Sequence, residues 1–137
     1  MFKFMDNFKV VIAGSRGFSN YRLLHDACNR LLRDKRKEYN IVIVSGHARG
    51  ADECGERYAS DEKFDLEIYP ANWKKYGKSA GFRRNEEMAN VADGLIAFWD
   101  GKSHGTKHMI DICKEKGIDV MVINYFGDET GSKEKQG

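Results

Sequence analysis

The sequence predicts one α/β domain of three layers, with a mostly parallel five-stranded sheet between helices. Three observations predict it. Short apolar runs alternate with runs of helical spacing along nearly the whole chain, as in parallel sheets with crossover helices. Three of those apolar runs end in glycine-rich polar loops. The length, 137 residues, suits a single core.

Phe8 to Ala13 reads as a buried first strand. Ser19 or Asn20 can cap the helix that follows, on which Leu24, Ala27, Cys28, Leu31 and Leu32 share one face. The charged run from Arg33 to Glu38 closes that helix as a solvated turn. Ile41 to Ser45 has the continuous apolar character of a strand covered on both faces. A helix from near Ala51 buries Ala51, Cys54 and Tyr58. Phe64 to Tyr69 is the third strand, stopped by Pro70, the only proline. Ala71 to Ala80 reads as an irregular loop, long enough to serve function. A helix from about Gly81 to Ala92 carries Met88 and Val91 inward. Gly94 to Trp99 is the fourth strand. The last helix, Gly105 to Lys116, turns Met109, Ile110 and Cys113 inward and stops at Gly117. Val120 to Ile123 is the fifth strand. The domain is expected over residues 1–126. The polar stretch 127–137 lacks apolar residues to bury and is expected to be a disordered tail.

Bulk composition excludes several classes. Hydrophobic residues make up 41% and charged residues 32%, which suits a well-solvated surface. A net charge of +2 is too small to argue for a nucleic-acid partner. No stretch approaches the ~18 consecutive apolar residues of a membrane span, and the N-terminus lacks a signal core. Cys28, Cys54 and Cys113 are odd in number and far apart. They support neither a disulfide framework nor a zinc cluster, and make a reducing cytoplasm the default.

In a parallel sheet the carboxyl ends of the strands share one edge, where such folds bind ligands. Three loops therefore converge there, after Ala13, after Val44 and after Phe98. Glycines let backbone N–H groups approach closely and helix N-termini favour anions, which points to a phosphate-bearing small molecule. In Gly14-Ser15-Arg16-Gly17-Phe18, the Ser15 hydroxyl can donate to a phosphate and Arg16 can clamp one. The same glycines equally suit a tight strand-to-helix turn. The spacing is not a P-loop, because Asn72 and Ile96 stand where Gly77-Lys78-Ser79 and Gly101-Lys102-Ser103 would need a glycine. Nor is it a full dinucleotide fingerprint. Ser45-Gly46-His47-Ala48-Arg49-Gly50-Ala51-Asp52 joins small residues to one cation and one acid. Arg49 and Asp52 can bind a ligand or pair with each other, and Asp52 suits the first turn of a helix. His47 reads as a polar loop residue, with general acid–base work as the alternative.

Together with Ala80-Gly81-x-Arg83-Arg84-Asn85-x-x-Met88 and Ala92-Asp93-x-x-x-Ala97-Phe98-Trp99-Asp100-Gly101-x-Ser103-x-Gly105-Thr106, these motifs resemble the SLOG superfamily. The resemblance is to its YspA/YpsA-related branch and covers Lys9 to Ile123. The superfamily also includes DprA and the LOG phosphoribohydrolases. The resemblance implies a Rossmann-like sheet and a site for nucleotides or nucleotide-derived ligands. It favours Arg84, with Asn85, as an anion site at a helix start. It places Trp99, Asp100, Gly101, Ser103, Gly105 and Thr106 as the opposite wall. Asp100 there would accept from ribose hydroxyls, and Trp99 would stack on a base or belong to the core. Trp73 and Tyr76 are alternative stackers. No separate cofactor is called for. His104 and His108 lack a third metal ligand at a supporting spacing, so no metal site is expected.

Binding of a nucleotide-derived ligand, for sensing or sequestration, is the expected function. The alternative is N-glycosidic hydrolysis of a nucleotide. LOG-type enzymes carry Arg-Lys-x-x-Met and a glutamate after Gly-Thr, whereas this chain has Arg84-Asn85-x-x-Met88 and no such glutamate. If the chain is an enzyme, Arg84 and Asp100 are the candidate catalytic residues. Single-stranded DNA binding is the weakest reading, since net charge is near neutral. Relatives in the superfamily often pair, so a homo-oligomer is compatible with the resemblance.

Overall fold

The apolar run from Val10 to Ala13, with Phe8 before it, forms the central strand of the sheet. In this computed structural model, which describes residues 5–125, that strand is β1 (Asn7–Gly14). It is joined by β2 (Asn40–Ser45), β3 (Asp65–Ile68), β4 (Gly94–Trp99) and β5 (Asp119–Asn124) in the spatial order β3-β2-β1-β4-β5. Every pairing is parallel. The central strands β1, β2 and β4 are apolar at consecutive positions because helices cover both of their faces.

Alternation along the strands divides the core. One set, with Val10, Ile12, Ile41, Ile43, Ile96 and Phe98, packs with Leu24 and Cys28 of α1 (Tyr21–Leu32) and Tyr58 of α3 (Ala51–Glu62). The opposite set, with Val11, Val44, Leu95 and Ala97, packs with Met88 of α5 (Ala80–Val91) and Met109 and Cys113 of α6 (His104–Glu115). The Asn20 side chain caps α1 by accepting the Leu23 N–H at 3.0 Å. Gly117, at φ +75°, follows the end of α6, a conformation that glycine adopts at low cost.

Two local expectations are corrected. The charged run 33–38 does not simply close α1: Lys35–Glu38 forms its own turn of helix, α2. Arg36 there bonds Glu62 at 3.0 Å and Lys35 lies 4.9 Å over the Phe8 ring, so distant partners hold the turn. The stretch 71–80 is not irregular either. Trp73–Tyr76 forms α4, and a 3₁₀ turn over Gly77–Ser79 leads into α5. The Asn72 side chain starts it by accepting the Lys75 N–H at 3.0 Å, and Gly77 breaks it with φ +58°. Residues 127–137 lie outside the described residues. Among the described residues, no helix is long and apolar enough to cross a membrane.

Gly14 and Gly17 stand close in sequence but face different constraints. A Cβ on Gly14 would lie 2.2 Å from the Phe98 carbonyl oxygen and 2.8 Å from the Ala51 Cβ, while one on Gly17 would meet nothing within 4 Å. Gly14→Ala is therefore expected to lower stability by about 3 kcal/mol, the upper end of typical overpacking costs. Gly17→Ala is expected to stay within about 0.5 kcal/mol of the parent. Urea unfolding midpoints of the two variants check the contrast.

Candidate functional site

β1 ends at Gly14, and the next residue ties the carboxyl edge together. Ser15 is buried. Its N–H donates to the Phe98 carbonyl at 3.0 Å, and its own carbonyl accepts the N–H groups of Phe18 at 3.1 Å and Ala51 at 3.3 Å. Its hydroxyl oxygen accepts the Asp100 N–H at 3.2 Å. Gly50, at φ +80°, closes against this turn: a Cβ there would lie 2.4 Å from the Ser15 carbonyl oxygen. The turn leaves Arg16 exposed and sends Phe18 inward. Phe18 is 2% exposed, packed 5.1 Å from the Phe98 ring and edge-on to Tyr125 at 4.8 Å. Expected at the ligand site, Phe18 belongs instead to the core, because the tight turn leaves its side chain over the sheet.

The loop after β2 is organised from α3. The Ser45 hydroxyl donates to Glu56 Oε2 at 2.7 Å and accepts the His47 backbone N–H at 3.0 Å. The same Glu56 oxygen lies 2.8 Å from His47 Nδ1, and this contact raises the His47 pKa. His47 itself sits at φ +61°, in the left-handed region that few non-glycine residues adopt, histidine more often than most. Asp52 accepts the Ala48 N–H at 3.1 Å. Burial lifts its carboxyl from the usual 3.8 to about 6, against the opposing pull of that N–H and of Arg84 and Arg16. Arg49 and Asp52 do not pair: Arg49 is exposed and makes no ion pair among the described residues.

Arg84, near the start of α5, reaches under this loop. Its Nη1 donates to the Gly46 carbonyl and its Nε donates to Asn85 Oδ1 at 3.0 Å. A Cβ on Gly46 would lie 2.7 Å from that guanidinium and 3.0 Å from Asp52 Oδ2, so a glycine there lets the ion approach the backbone. Burial and the nearby Arg16 lower the Arg84 pKa, and Asp52 offsets them. Arg16, Gly46, His47, Arg49, Trp73 and Arg84 line a cavity of about 280 Å³, together with Pro70 and Ala71. This cavity brings together all three arginines singled out in the sequence.

The segment after β4 has a different place. Asp100 Oδ1 accepts the N–H groups of Lys102 and Ser103, both at 2.8 Å. Burial acts to raise its pKa, but these bonds and the Ser15 hydroxyl hold it below the usual carboxylate range. The Ser103 side chain caps α6 through the Thr106 N–H at 3.4 Å, and Thr106 is buried. The Trp99 indole N–H is engaged by the Ser103 carbonyl at 3.0 Å. Asn85 is buried and donates to the Gly105 carbonyl at 3.2 Å. Gly101 and Gly105 have open space where a Cβ would stand. None of the residues from Trp99 to Thr106 lines the arginine cavity. They brace it from behind, through Ser15 and Asn85.

Glu56 escaped the sequence reading. Its signal was modest: it lies one helical turn after Asp52, so both carboxylates share a face of α3. Among the described residues, no group of three or more His, Cys, Asp or Glu side chains could hold a metal ion.

Comparison with known proteins gives three findings. A model of the YspA, cpYpsA-related SLOG family matches residues 8–76. The chain is 39% identical over 127 residues to the Gene 61 protein of Mycobacterium phage D29, covering 88% of this chain and 98% of that one. Two solved structures share the fold at 19% identity: DNA processing protein A (DprA) from Streptococcus pneumoniae, TM-score 0.64, and the protein TM1055, TM-score 0.59. Each alignment covers 85% of this chain; it spans half of the DprA chain and 72% of TM1055.

The buried Asp52 has a pH signature. Its folded pKa lies above its unfolded value, so its ionisation opposes folding as pH rises from about 4 through about 6, by roughly 2–3 kcal/mol in total. Asp52→Asn removes this slope. The stability of the variant relative to the parent is expected to rise by about 2 kcal/mol between pH of about 4 and about 7, read from urea unfolding at each pH. A constant difference across that range rules the assignment out.

Proposed function

The chain belongs to the YspA, cpYpsA-related SLOG family, and from that footing we propose that it binds a nucleotide or nucleotide-derived ligand at the carboxyl edge of its sheet, as a sensing or sequestering module. One observation carries the reading: Arg16, Arg49 and Arg84 face one cavity, and neither Arg16 nor Arg49 has an ion-pair partner among the described residues. Guanidinium groups held without a counter-charge suit a phosphate, which they bind through paired hydrogen bonds. The volume lies at the lower end of small-molecule sites. Trp73, exposed on the cavity wall, offers a face for a base. Arg84 lines the cavity, and the charge of Asp52 near it opposes the effect of burial on the half-buried guanidinium. Asp100 and Gly105 act in this reading through their bonds to Ser15 and Asn85, and Thr106 through the Ser103 cap of α6.

Arg49 separates binding from folding, because it is exposed and bonds nothing else described. Titration calorimetry against nucleoside monophosphates, ADP-ribose and cyclic nucleotides tests the reading. Arg49→Ala is expected to weaken the bound member about tenfold, the worth of one charge-assisted contact, with an unchanged melting temperature. No binding at millimolar concentration by any phosphate-bearing member overturns it.

One observation favours a second reading, hydrolysis of the N-glycosidic bond. His47 lines the cavity and Glu56 orients its ring through Nδ1, which leaves Nε2 to move a proton. Against this stands Asp100, whose Oδ1 is committed to its own turn. Chromatography of nucleoside monophosphates after long incubation decides. Release of free base, abolished in His47→Ala, supports hydrolysis; intact monophosphates dismiss it.

A further inference from the structure

Beyond the arginine cavity, the connection from β3 to α5 carries features that a mononucleotide leaves unused. Between Tyr69 and Arg84 the chain holds Lys74, Lys75, Lys78, Arg83 and Arg84 and no carboxylate. Trp73 is 51% exposed, Phe82 50% and Tyr76 38%, and among the described residues no other aromatic side chain stands so exposed. A soluble domain seldom concentrates its exposed aromatic rings in one place without a partner for them. We propose that this connection, α4 with the first turn of α5, is a surface for single-stranded nucleic acid that continues outward from the phosphate cavity.

One of the three rings, Tyr76, has cations at close range. The Arg83 guanidinium lies 4.5 Å over the Tyr76 ring and Lys75 Nζ lies 5.0 Å from it. Phe82 is stacked on His108 at 4.3 Å and 30°. Arg83 is further steadied by Ser79 Oγ at 3.1 Å. Flat rings beside cations are what unpaired bases and their phosphates need: each base has a face to stack, and each phosphate a charge to meet.

The topography fits a strand longer than one nucleotide. A second cavity, of about 470 Å³, adjoins the first and shares Pro70 and Arg84 with it. Lys75, Tyr76, Arg83 and Asn72 line it, with Glu86 and Glu87 on the α5 side. Those carboxylates repel phosphates and accept from the amino groups of bases, so the backbone runs along the lysines with base edges toward α5. A duplex offers no free base faces to the rings. A lipid surface meets exposed lysines and aromatics as well, but it cannot enter two recessed cavities with carboxylates in one wall.

Fluorescence anisotropy of labelled oligothymidylates with the full chain tests the proposal. Affinity is expected to rise at least tenfold from a mononucleotide to about 8 nucleotides, and to fall with added salt. Replacing Lys74, Lys75 and Lys78 together by alanine is expected to cost about tenfold for the oligonucleotide while leaving mononucleotide affinity unchanged. Phe82→Ala is expected to cost about fivefold, the worth of one stacked base. Equal affinity for mononucleotide and oligonucleotide overturns the proposal, as does equal affinity for duplex, or a triple-lysine variant that binds oligonucleotide like the parent. Binding to phosphatidylserine vesicles without oligonucleotide affinity assigns the surface to lipid and overturns it as well. Oligonucleotide binding without mononucleotide binding keeps this proposal and removes the nucleotide-binding reading, so the two fail separately.

Discussion

The backbone of Ser15 is the point on which the carboxyl edge depends. Its N–H is bonded to β4, its carbonyl to the start of α3, and its hydroxyl to the loop after β4. These bonds fit only if neighbouring backbones come closer than a side chain allows, which explains Gly14 and Gly50. With both in place the loop after β1 packs directly on its neighbours, and Arg16 leaves it on the solvent side.

Arg84 is the complementary element, a cation inserted where a bulkier loop residue than Gly46 would stand. A half-buried guanidinium costs free energy unless its hydrogen bonds and charge are met. The Gly46 carbonyl, the Asn85 side chain and the carboxylate of Asp52 meet them. Asp52 takes the opposing strain in its raised pKa. The fold thus holds like-charged guanidiniums near one another before any ligand is present, and the helix that carries Arg84 is itself tied to α6 through Asn85 and Gly105.

Much of this was legible in the sequence because it is local. Strands β1, β2 and β4 announce themselves as continuous apolar runs, and residue type points to Gly117 as one cap and narrows the other to Ser19 or Asn20, of which Asn20 makes the bond. Parallel topology brings Arg16 and Arg49 to one edge, the family resemblance points to Arg84, and the loop after β4, expected beside them, does not line the cavity. What escaped depends on distant partners. Phe18 and Trp99 look alike as aromatics at strand ends, yet one is sealed into the core and the other spends its N–H on a turn. Glu56 acquires meaning only when Ser45 and His47 are seen against it. Helix α4 turns on a single asparagine cap in a stretch whose glycine and proline read as loop.

The bond between Ser15 and Asp100 has a consequence for the order of events during folding. The two residues are 85 apart in sequence, and β1 gains its second neighbour only when β4 arrives. Pairing β1 with β2 and β3 is comparatively local, whereas closing β4 onto β1 requires a loop of most of the chain. A nascent or partly folded chain can hold the β1–β2–β3 half with all three strands paired and still lack two of the bonds at Ser15, those to Phe98 and Asp100. Under the proposed function, a ligand that needs the fully bonded turn at Ser15 stabilises only a chain in which β4 has joined β1.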